Sequence, residues 1–219
     1  MAIDKSHSKP WVKTLAIILS VALIFGLSAL VFLPELFQAT SASTSTTGTA
    51  ASGASATSTA TIDATYQARV DATTKLLDAK PNDYDLLVSQ ASNYQEWASK
   101  LADASGKGPG GADMAYWPLA IALYKKALAV KPGATDVETN LGLCYLYSGD
   151  VTAAVTTIET ATKADPTFGQ PFYFLGRAYT AAGQNDKAIA AFQNYVKLDP
   201  SGEFVSDANA SISALKTAK

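Results

Sequence analysis

Four segments of this chain end in the same way, and their spacing limits the fold more than any other feature. Each closes on a lysine or an aspartate followed by a proline, and the prolines are Pro81, Pro132, Pro166 and Pro200. They are separated by 51, 34 and 34 residues. Because proline lacks a backbone N–H and disfavours helix in the residue before it, each one marks a helix end. A recurring period of 34 residues predicts helix pairs stacked into a solenoid, and the longer first spacing indicates an insertion of 17 residues.

The last two repeats are periodic at the same internal places. Each has a leucine–glycine pair, a tyrosine three residues after that glycine, a glycine at the turn and small residues on the second helix. These are Leu141, Gly142, Tyr145, Gly149, Ala154 and Ala161 in the repeat 135–166, and Leu175, Gly176, Tyr179, Gly183 and Ala188 in the repeat 169–200. On these residues the chain resembles the tetratricopeptide-repeat family. The resemblance implies an all-α solenoid of about three repeats. In the last two repeats only Tyr195 departs from the family's pattern, because a small residue is expected there, and in the first repeat Gln90 stands where leucine is usual.

Close packing explains why small and large residues combine in this pattern. Glycine and alanine let two antiparallel helices approach, and aromatic or branched side chains fill the remaining space. The first repeat, about 84–132, shows the same pattern around an insertion at 99–116. The residues predicted to make this packing are Tyr94, Ala120, Tyr124, Leu141, Gly142, Tyr145, Ala154, Leu175, Gly176, Tyr179, Ala188 and Phe192. Flanking helices at 62–79 and 203–217 are expected to cover the two ends.

A long apolar run near the start of the chain predicts a transmembrane helix. Residues 15–33 contain no charge, and these 19 residues as a helix span about the thickness of a bilayer core. A cleavable signal peptide is the alternative, since small residues at Ala39 and Ala42 resemble a cleavage site. Lysines precede the run, and no lysine or arginine follows it until Arg69. We therefore expect the tail 1–14 to be cytoplasmic and the C-terminal domain to be extracytoplasmic, on a single-pass anchor in the cytoplasmic membrane.

A stretch rich in serine, threonine and alanine follows, at 38–61. Between Ala39 and Thr61 it has no charged, aromatic or branched aliphatic residue. Such a segment cannot bury enough apolar surface to offset the entropy of ordering it. We expect a flexible linker, after which the solenoid occupies 62–219.

The rarity of reactive side chains argues against most classes of enzyme. His7, in the tail, is the only histidine, and Cys144 is the only cysteine among 219 residues. The solenoid would therefore lack the commonest general base and metal ligand, and it cannot form an internal disulfide or a cysteine-based zinc site. The net charge is −2, without the basic face that nucleic-acid binding requires. We predict that the chain is not an enzyme and has no catalytic residue, metal or cofactor.

The resemblance also implies where a partner would bind. In tetratricopeptide folds the first helix of each repeat lines a concave groove. By position, the groove residues would be Val88, Ser92, Gln95, Thr139, Leu143, Leu146, Tyr147, Tyr173, Arg177 and Thr180. Relatives that hold a terminal carboxylate have an asparagine where Leu143 stands, so an apolar peptide with an acidic group for Arg177 fits better. The alternative is that Leu143, Tyr147 and Tyr173 only pack inside the solenoid.

The expected function is that of an adaptor or scaffold that binds protein or peptide partners in envelope-complex assembly. Membrane-anchored bacterial proteins of this family and layout, which the chain resembles, include helpers of cytochrome c maturation. A structural alternative is a self-associating subunit, a homo-oligomer within a larger membrane or surface complex. The residues leave all three readings open.

Overall fold

The computed structural model describes residues 51–217, except Lys107 and Pro109. This part of the chain is all-α, as the repeats predict. Its elements are α1 (Ala51–Ala79), α2 (Tyr84–Ser105), a 3₁₀ helix (Ala112–Ala115), α3 (Trp117–Val130), α4 (Thr135–Tyr147), α5 (Val151–Ala164), α6 (Gly169–Ala181), α7 (Asn185–Leu198) and α8 (Val205–Thr217). Each helix packs against the next one along the chain, and α4 also contacts α6. The predicted solenoid is therefore confirmed, with α2–α3, α4–α5 and α6–α7 as its helix pairs.

Small residues lie where the two helices of a pair come closest. A Cβ atom built on Gly176 would lie 2.7 Å from ring atoms of Phe192 on α7, and one on Gly142 would overlap Ile158 on α5. Of the twelve residues predicted to make the repeat packing, all are buried except Tyr94 and Tyr145, which are half-buried. The close approach of the paired helices therefore depends on the absence of a side chain at the two glycines.

Tyr195, the one departure from the pattern of the last two repeats, has a structural reason. Its side chain is 1 % exposed, and its hydroxyl accepts a hydrogen bond from the backbone N–H of Phe204 at 3.0 Å. A small residue could not reach this amide, which lies just before α8 begins. The larger side chain thus connects the last repeat to the helix that covers it.

The helix α1 begins earlier than the predicted flanking helix 62–79. It starts at Ala51, inside the predicted linker 38–61. Alanine has the highest helix propensity, and no proline interrupts the segment, so the helical backbone can continue upstream of the packed residues. The linker boundary at 61 is therefore corrected for 51–61. The predicted tail 1–14, the transmembrane helix 15–33 and the linker residues 38–50 lie outside the described residues.

Hydrogen bonds between polar side chains join α1 to α2. Gln90, at a position where the family has leucine, is buried and donates to the hydroxyl of Thr74 at 2.8 Å. Asn93 donates to the hydroxyl of Thr73 at 3.2 Å.

Among the helices that the structure describes, none combines the length and the apolar character of a membrane span.

The insertion lengthens the first helix of its repeat. The helix α2 has 22 residues, whereas α4 and α6 have 13 each. At 1.5 Å per residue the difference extends α2 by about 13 Å. The helix ends at Gly106, whose φ of 65° is the left-handed conformation that terminates many helices. Beyond α2, the described part of the insertion includes Gly108, Gly110 and Gly111 and the 3₁₀ helix.

Polar residues cover the outer sides of both end helices. In α8, Ala208, Ile212 and Leu215 face the core, and the positions between them are mostly exposed small or polar residues. In α1, Tyr66 and Val70 are buried, and most of the surrounding positions are exposed. Both ends therefore have the character of capping helices, which protect the apolar interior of a solenoid from water.

Candidate functional site

Three of the predicted groove residues belong to the core instead. Thr139 is 1 % exposed, Leu143 is 9 % exposed and Tyr173 is 5 % exposed. The hydroxyl of Thr139 donates to the carbonyl of Thr135 in its own helix at 2.6 Å. For Leu143 and Tyr173 the structure thus supports the alternative reading, which is packing inside the solenoid.

The C-terminal helix explains why Tyr173 is covered. The ring of Phe204 stacks on the ring of Tyr173 with 4.4 Å between centroids. The Tyr173 hydroxyl donates to Oδ2 of Asp207 on α8 at 2.5 Å. Burial, and then the hydrogen bond to Asp207, raise the pKa of Tyr173 above its usual value. The position of α8 could not be read from the repeat pattern, which ends before it.

The predicted groove residues of α2 bind its partner helix α3. Oγ of Ser92 lies 3.0 Å from the hydroxyl oxygen of Tyr124, and that hydroxyl donates to Oε1 of Gln95 at 2.7 Å. Tyr124 is fully buried, so its hydroxyl needs these partners. Val88 is half-buried and packs at the edge of the same core cluster. The polar groups of Ser92 and Gln95 are therefore engaged within the first repeat.

Two of the predicted groove residues, Tyr147 and Arg177, form a direct contact between repeats. Nη1 of Arg177 on α6 donates to the hydroxyl of Tyr147 on α4 at 2.9 Å, and its Cζ lies 5.3 Å from the Tyr147 ring centroid. The indole of Trp117, at the start of α3, stacks on the same ring with 5.1 Å between centroids. We call Trp117, Tyr147 and Arg177 the aromatic–arginine cluster. It joins three helices from three successive repeats.

The other two predicted groove residues are neighbours of the cluster along the helices, Leu146 directly before Tyr147 on α4 and Thr180 three residues after Arg177 on α6. Leu146 is half-buried, and Thr180 is exposed. The hydroxyl of Thr180 donates to the carbonyl of Gly176 in its own helix at 2.8 Å. Both side chains are thus available at the surface near Tyr147 and Arg177, and neither contributes an unsatisfied polar group.

Arg177 carries a positive charge that no carboxylate in the described part of the chain balances at ion-pair distance. The ion pairs described there join Arg69 to Glu96 at 3.2 Å and Lys163 to Glu159 at 3.6 Å. Arg177 is half-buried, and one of its five N–H groups binds the Tyr147 hydroxyl. The remaining donors favour an acceptor with negative charge, because guanidinium binds carboxylate with two parallel hydrogen bonds.

A small cavity opens between the extended end of α2 and the aromatic–arginine cluster. Its volume is about 180 Å³. Its lining residues are Ser99, Ala102, Asp103, Gly108, Trp117 and Tyr147. Sites for small molecules and cofactors usually measure about 300–1,000 Å³. The cavity is therefore of a size for one side chain. Sequence reasoning missed it because it exists only where α2 continues past its usual length.

A buried carboxylate, that of Asp113, connects the glycine turn of the insertion to Trp117, which lines this cavity. Asp113 is 1 % exposed and accepts hydrogen bonds from the backbone N–H groups of Gly110 and Gly111 and from the indole N–H of Trp117 at 3.1 Å. Burial raises the pKa of Asp113, but the hydrogen bonds from Trp117 and the two glycines together lower it by more. The pKa therefore lies below its usual value. The sequence signal for this contact is a Gly-Gly turn two residues before an aspartate and just ahead of a helix.

The described residues offer no arrangement for metal chemistry or a reactive thiol. Within them, no group of three histidine, cysteine, aspartate or glutamate side chains could hold a metal ion. Cys144 is fully buried, and burial raises the pKa of its thiol. A buried thiol with a raised pKa is a poor nucleophile.

Comparison with known proteins supports the repeat assignment. Residues 113–167 and 139–203 each match the family model described as tetratricopeptide repeat. The chain is 32 % identical over 84 residues to small glutamine-rich tetratricopeptide repeat-containing protein 2 of Mycosarcoma maydis, covering 38 % of this chain and 24 % of that protein. It is 30 % identical over 93 residues to the general transcriptional corepressor ssn6 of Schizosaccharomyces pombe, covering 42 % of this chain and 8 % of that protein. The chain thus spans a quarter or less of these relatives.

Solved structures of similar fold include the protein MamA. A crystal structure of MamA superimposes with a TM-score of 0.57 and 22 % sequence identity, covering 70 % of this chain and 78 % of that one. A second has a TM-score of 0.56 and 21 % identity, over 74 % and 81 % of the two chains. At this identity the likeness concerns the fold alone.

Proposed function

We propose that this chain, whose residues 113–203 match tetratricopeptide repeats, is a membrane-anchored extracytoplasmic adaptor that binds partner proteins or peptides in envelope-complex assembly. The observation that carries the proposal is the aromatic–arginine cluster. Tryptophan, tyrosine and arginine are the residues most enriched among those that dominate protein-binding energy. Here one of each meets at the junction of successive repeats, with Tyr147 and Arg177 half-buried.

The chemistry of this surface favours a peptide with an acidic group. Arg177 supplies the positive charge, and Tyr147 supplies an aromatic surface with a hydroxyl. A terminal carboxylate held as in the asparagine-containing relatives is disfavoured, because the corresponding Leu143 is an apolar core residue. An internal aspartate or glutamate of the partner fits Arg177 better.

The membrane anchor is the part of this proposal that rests on sequence. Its support is the uncharged run 15–33, and the orientation is supported by the lysines that precede the run and by the absence of any lysine or arginine between it and Arg69. A cleaved signal peptide would still deliver the repeat domain to the same side of the membrane, but without the tether. Partner binding at the aromatic–arginine cluster does not depend on which of the two is correct.

Site-specific crosslinking in the membranes of the producing cell tests the binding face. A photo-crosslinking residue at exposed Thr180 or half-buried Leu146 would sample the surface beside Arg177 and Tyr147 without replacing either. The same residue at exposed Thr156, on α5, is the matched control. We expect a discrete crosslinked species from Thr180 and Leu146 and none from Thr156. Equal yields at all three positions, or none anywhere, would refute a binding site on this face.

Self-association is the second candidate function, and a helper role in cytochrome c maturation is a narrower form of the first. The polar outer sides of α1 and α8 weigh against end-to-end stacking of copies, because capping helices of this kind terminate a solenoid. Light scattering on the purified chain after size exclusion separates the candidates. A monodisperse oligomer would favour the structural subunit, and a monomer would favour the adaptor.

A further inference from the structure

We infer that the cavity built by the insertion binds one apolar or aromatic side chain of the partner, beside an acidic residue of the same segment that pairs with Arg177. We call this cavity the insertion pocket. The inference rests on the proposed function and specifies the ligand of the same surface. Its first support is that the two binding points are adjacent. Tyr147 lines the pocket and also accepts a hydrogen bond from Arg177, so the pocket and Arg177 share the side chain of Tyr147.

Three of the six residues that line the pocket are apolar or aromatic. Ala102 is buried, and the indole of Trp117, which is 1 % exposed, forms part of the wall together with Tyr147. Removing an apolar side chain from water into such surroundings is favourable in proportion to its buried area. At about 180 Å³ the space accepts a side chain and not a small-molecule cofactor.

Two residues of opposite charge, Asp103 and Arg177, determine where the apolar residue and the acidic residue of the partner each bind. Asp103 lines the pocket, whereas Arg177 contacts Tyr147 from α6. Asp103 repels a partner carboxylate from the pocket, and Arg177 attracts it. The apolar residue and the acidic residue of the partner therefore occupy separate places, close enough to belong to one short segment.

Hydrogen bonds within the chain hold one wall of the pocket in place. Asp113 anchors the turn through Gly110 and Gly111 and holds the Trp117 indole by its N–H. Burying a carboxylate is costly unless hydrogen bonds compensate, and here several do. Because these bonds already order the turn, binding a side chain here does not carry the entropic cost of ordering it.

Selection from a phage-displayed random peptide library against the full chain, purified in detergent, tests this inference. We expect the selected peptides to share a phenylalanine, tyrosine, leucine or methionine within a few residues of an aspartate or glutamate. Ser99→Leu and Ala102→Leu would each fill the pocket. Both variants should bind the selected peptides with about tenfold lower affinity and should lose the preference for an apolar residue in the peptide.

Variants of Arg177 separate the two anchors. Arg177→Gln should weaken the same peptides by about tenfold and remove the acidic preference, and Arg177→Lys should retain that preference with intermediate affinity. Lys126→Gln, an exposed position on α3, is the matched control and should change neither. Thermal unfolding monitored by circular dichroism checks the folding of each variant. If Ala102→Leu fails to fold, the half-buried Ser99 still provides the test.

The outcomes distinguish this inference from the function on which it rests. Peptides that bind with equal affinity to the wild type and to both pocket-filling variants would overturn the insertion pocket and leave the adaptor function in place. A selected motif in which a lysine or arginine replaces the apolar residue would overturn it too, by assigning the site to Asp103. If no peptide is enriched, peptide binding itself fails, and the pocket fails with it.

Discussion

The guanidinium of Arg177 donates to the hydroxyl of Tyr147 across 2.9 Å, which connects the first helices of the second and third repeats. The Tyr147 ring also stacks on the indole of Trp117, so α3, α4 and α6 meet at this one ring. A substitution at Tyr147 would therefore affect both the packing between repeats and the surface offered to a partner.

Removing only the Tyr147 hydroxyl should weaken the repeat junction. Tyr147→Phe keeps the ring stacked on Trp117 but removes the acceptor of the Arg177 hydrogen bond. Because the bond is charged but only half-buried, we expect a loss of about 1 kcal/mol in the free energy of unfolding, measured by urea denaturation. Tyr145→Phe, at a half-buried tyrosine of the same helix, is the control and should change the free energy less. Equal losses for both variants would contradict a specific role for the Arg177 bond.

Adding a methyl group at Gly176 should separate α6 from α7. The new Cβ would lie 2.7 Å from the Phe192 ring, closer than packed carbon atoms approach. We expect Gly176→Ala to lower the free energy of unfolding by about 1–3 kcal/mol in chemical denaturation. Adding Phe192→Leu to this variant should cost less than Phe192→Leu in the wild type, because the smaller side chain relieves the clash. Strictly additive effects would show that the two residues do not crowd each other.

Lowering the pH should protonate Asp113 and so weaken the hydrogen bonds that hold the insertion. The pKa of this carboxyl lies below its usual value of 3.8, so its stabilising contribution is present at neutral pH and is lost as pH falls through the folded-state pKa, below 3.8. Asp113→Asn lacks this titration. We expect the variant to be less stable than the wild type at neutral pH, with the difference shrinking in acid, as measured by chemical denaturation across that range.

Limited proteolysis provides an independent measurement of the same contact. At neutral pH, Asp113→Asn should be cut faster than the wild type around Gly110 and Gly111, because the turn has lost its anchor. Asp103→Asn, at an exposed position near the end of α2, is the control and should be cut at the wild-type rate. A difference in stability that is constant with pH, together with unchanged cleavage, would refute the role of Asp113.

Topology can be tested on intact cells. A protease added outside should digest the repeat domain and spare an epitope placed in the tail 1–14, because the lysines before 15–33 predict that this tail is cytoplasmic. Permeabilised cells provide the control, in which the tail epitope should also be lost. A repeat domain that is protected in intact cells would contradict the predicted orientation.

The amino-acid sequence alone determined the repeat and its close contacts. The 34-residue spacing, the leucine–glycine pairs and the small residues opposite Ile158 and Phe192 are local, because each depends on neighbours within one helix pair. The same locality explains why a departure such as Tyr195 could be recognised as unusual. Its partner, the amide of Phe204, lies outside the repeat, just before α8, and could not be foreseen.

Only the tertiary structure decided which predicted groove residues remain at the surface. Repeat position assigned Leu143, Tyr147 and Tyr173 alike to the groove, but burial depends on what other segments cover. Phe204, just before α8, and Asp207, within it, cover Tyr173, whereas Tyr147 stays half-buried beside Arg177. The insertion pocket is likewise non-local, since it requires α2 to continue toward a residue of the following repeat. Periodicity describes how a helix packs in its own pair, and the arrangement of the ends and of the insertion sets which side chains remain available to a partner.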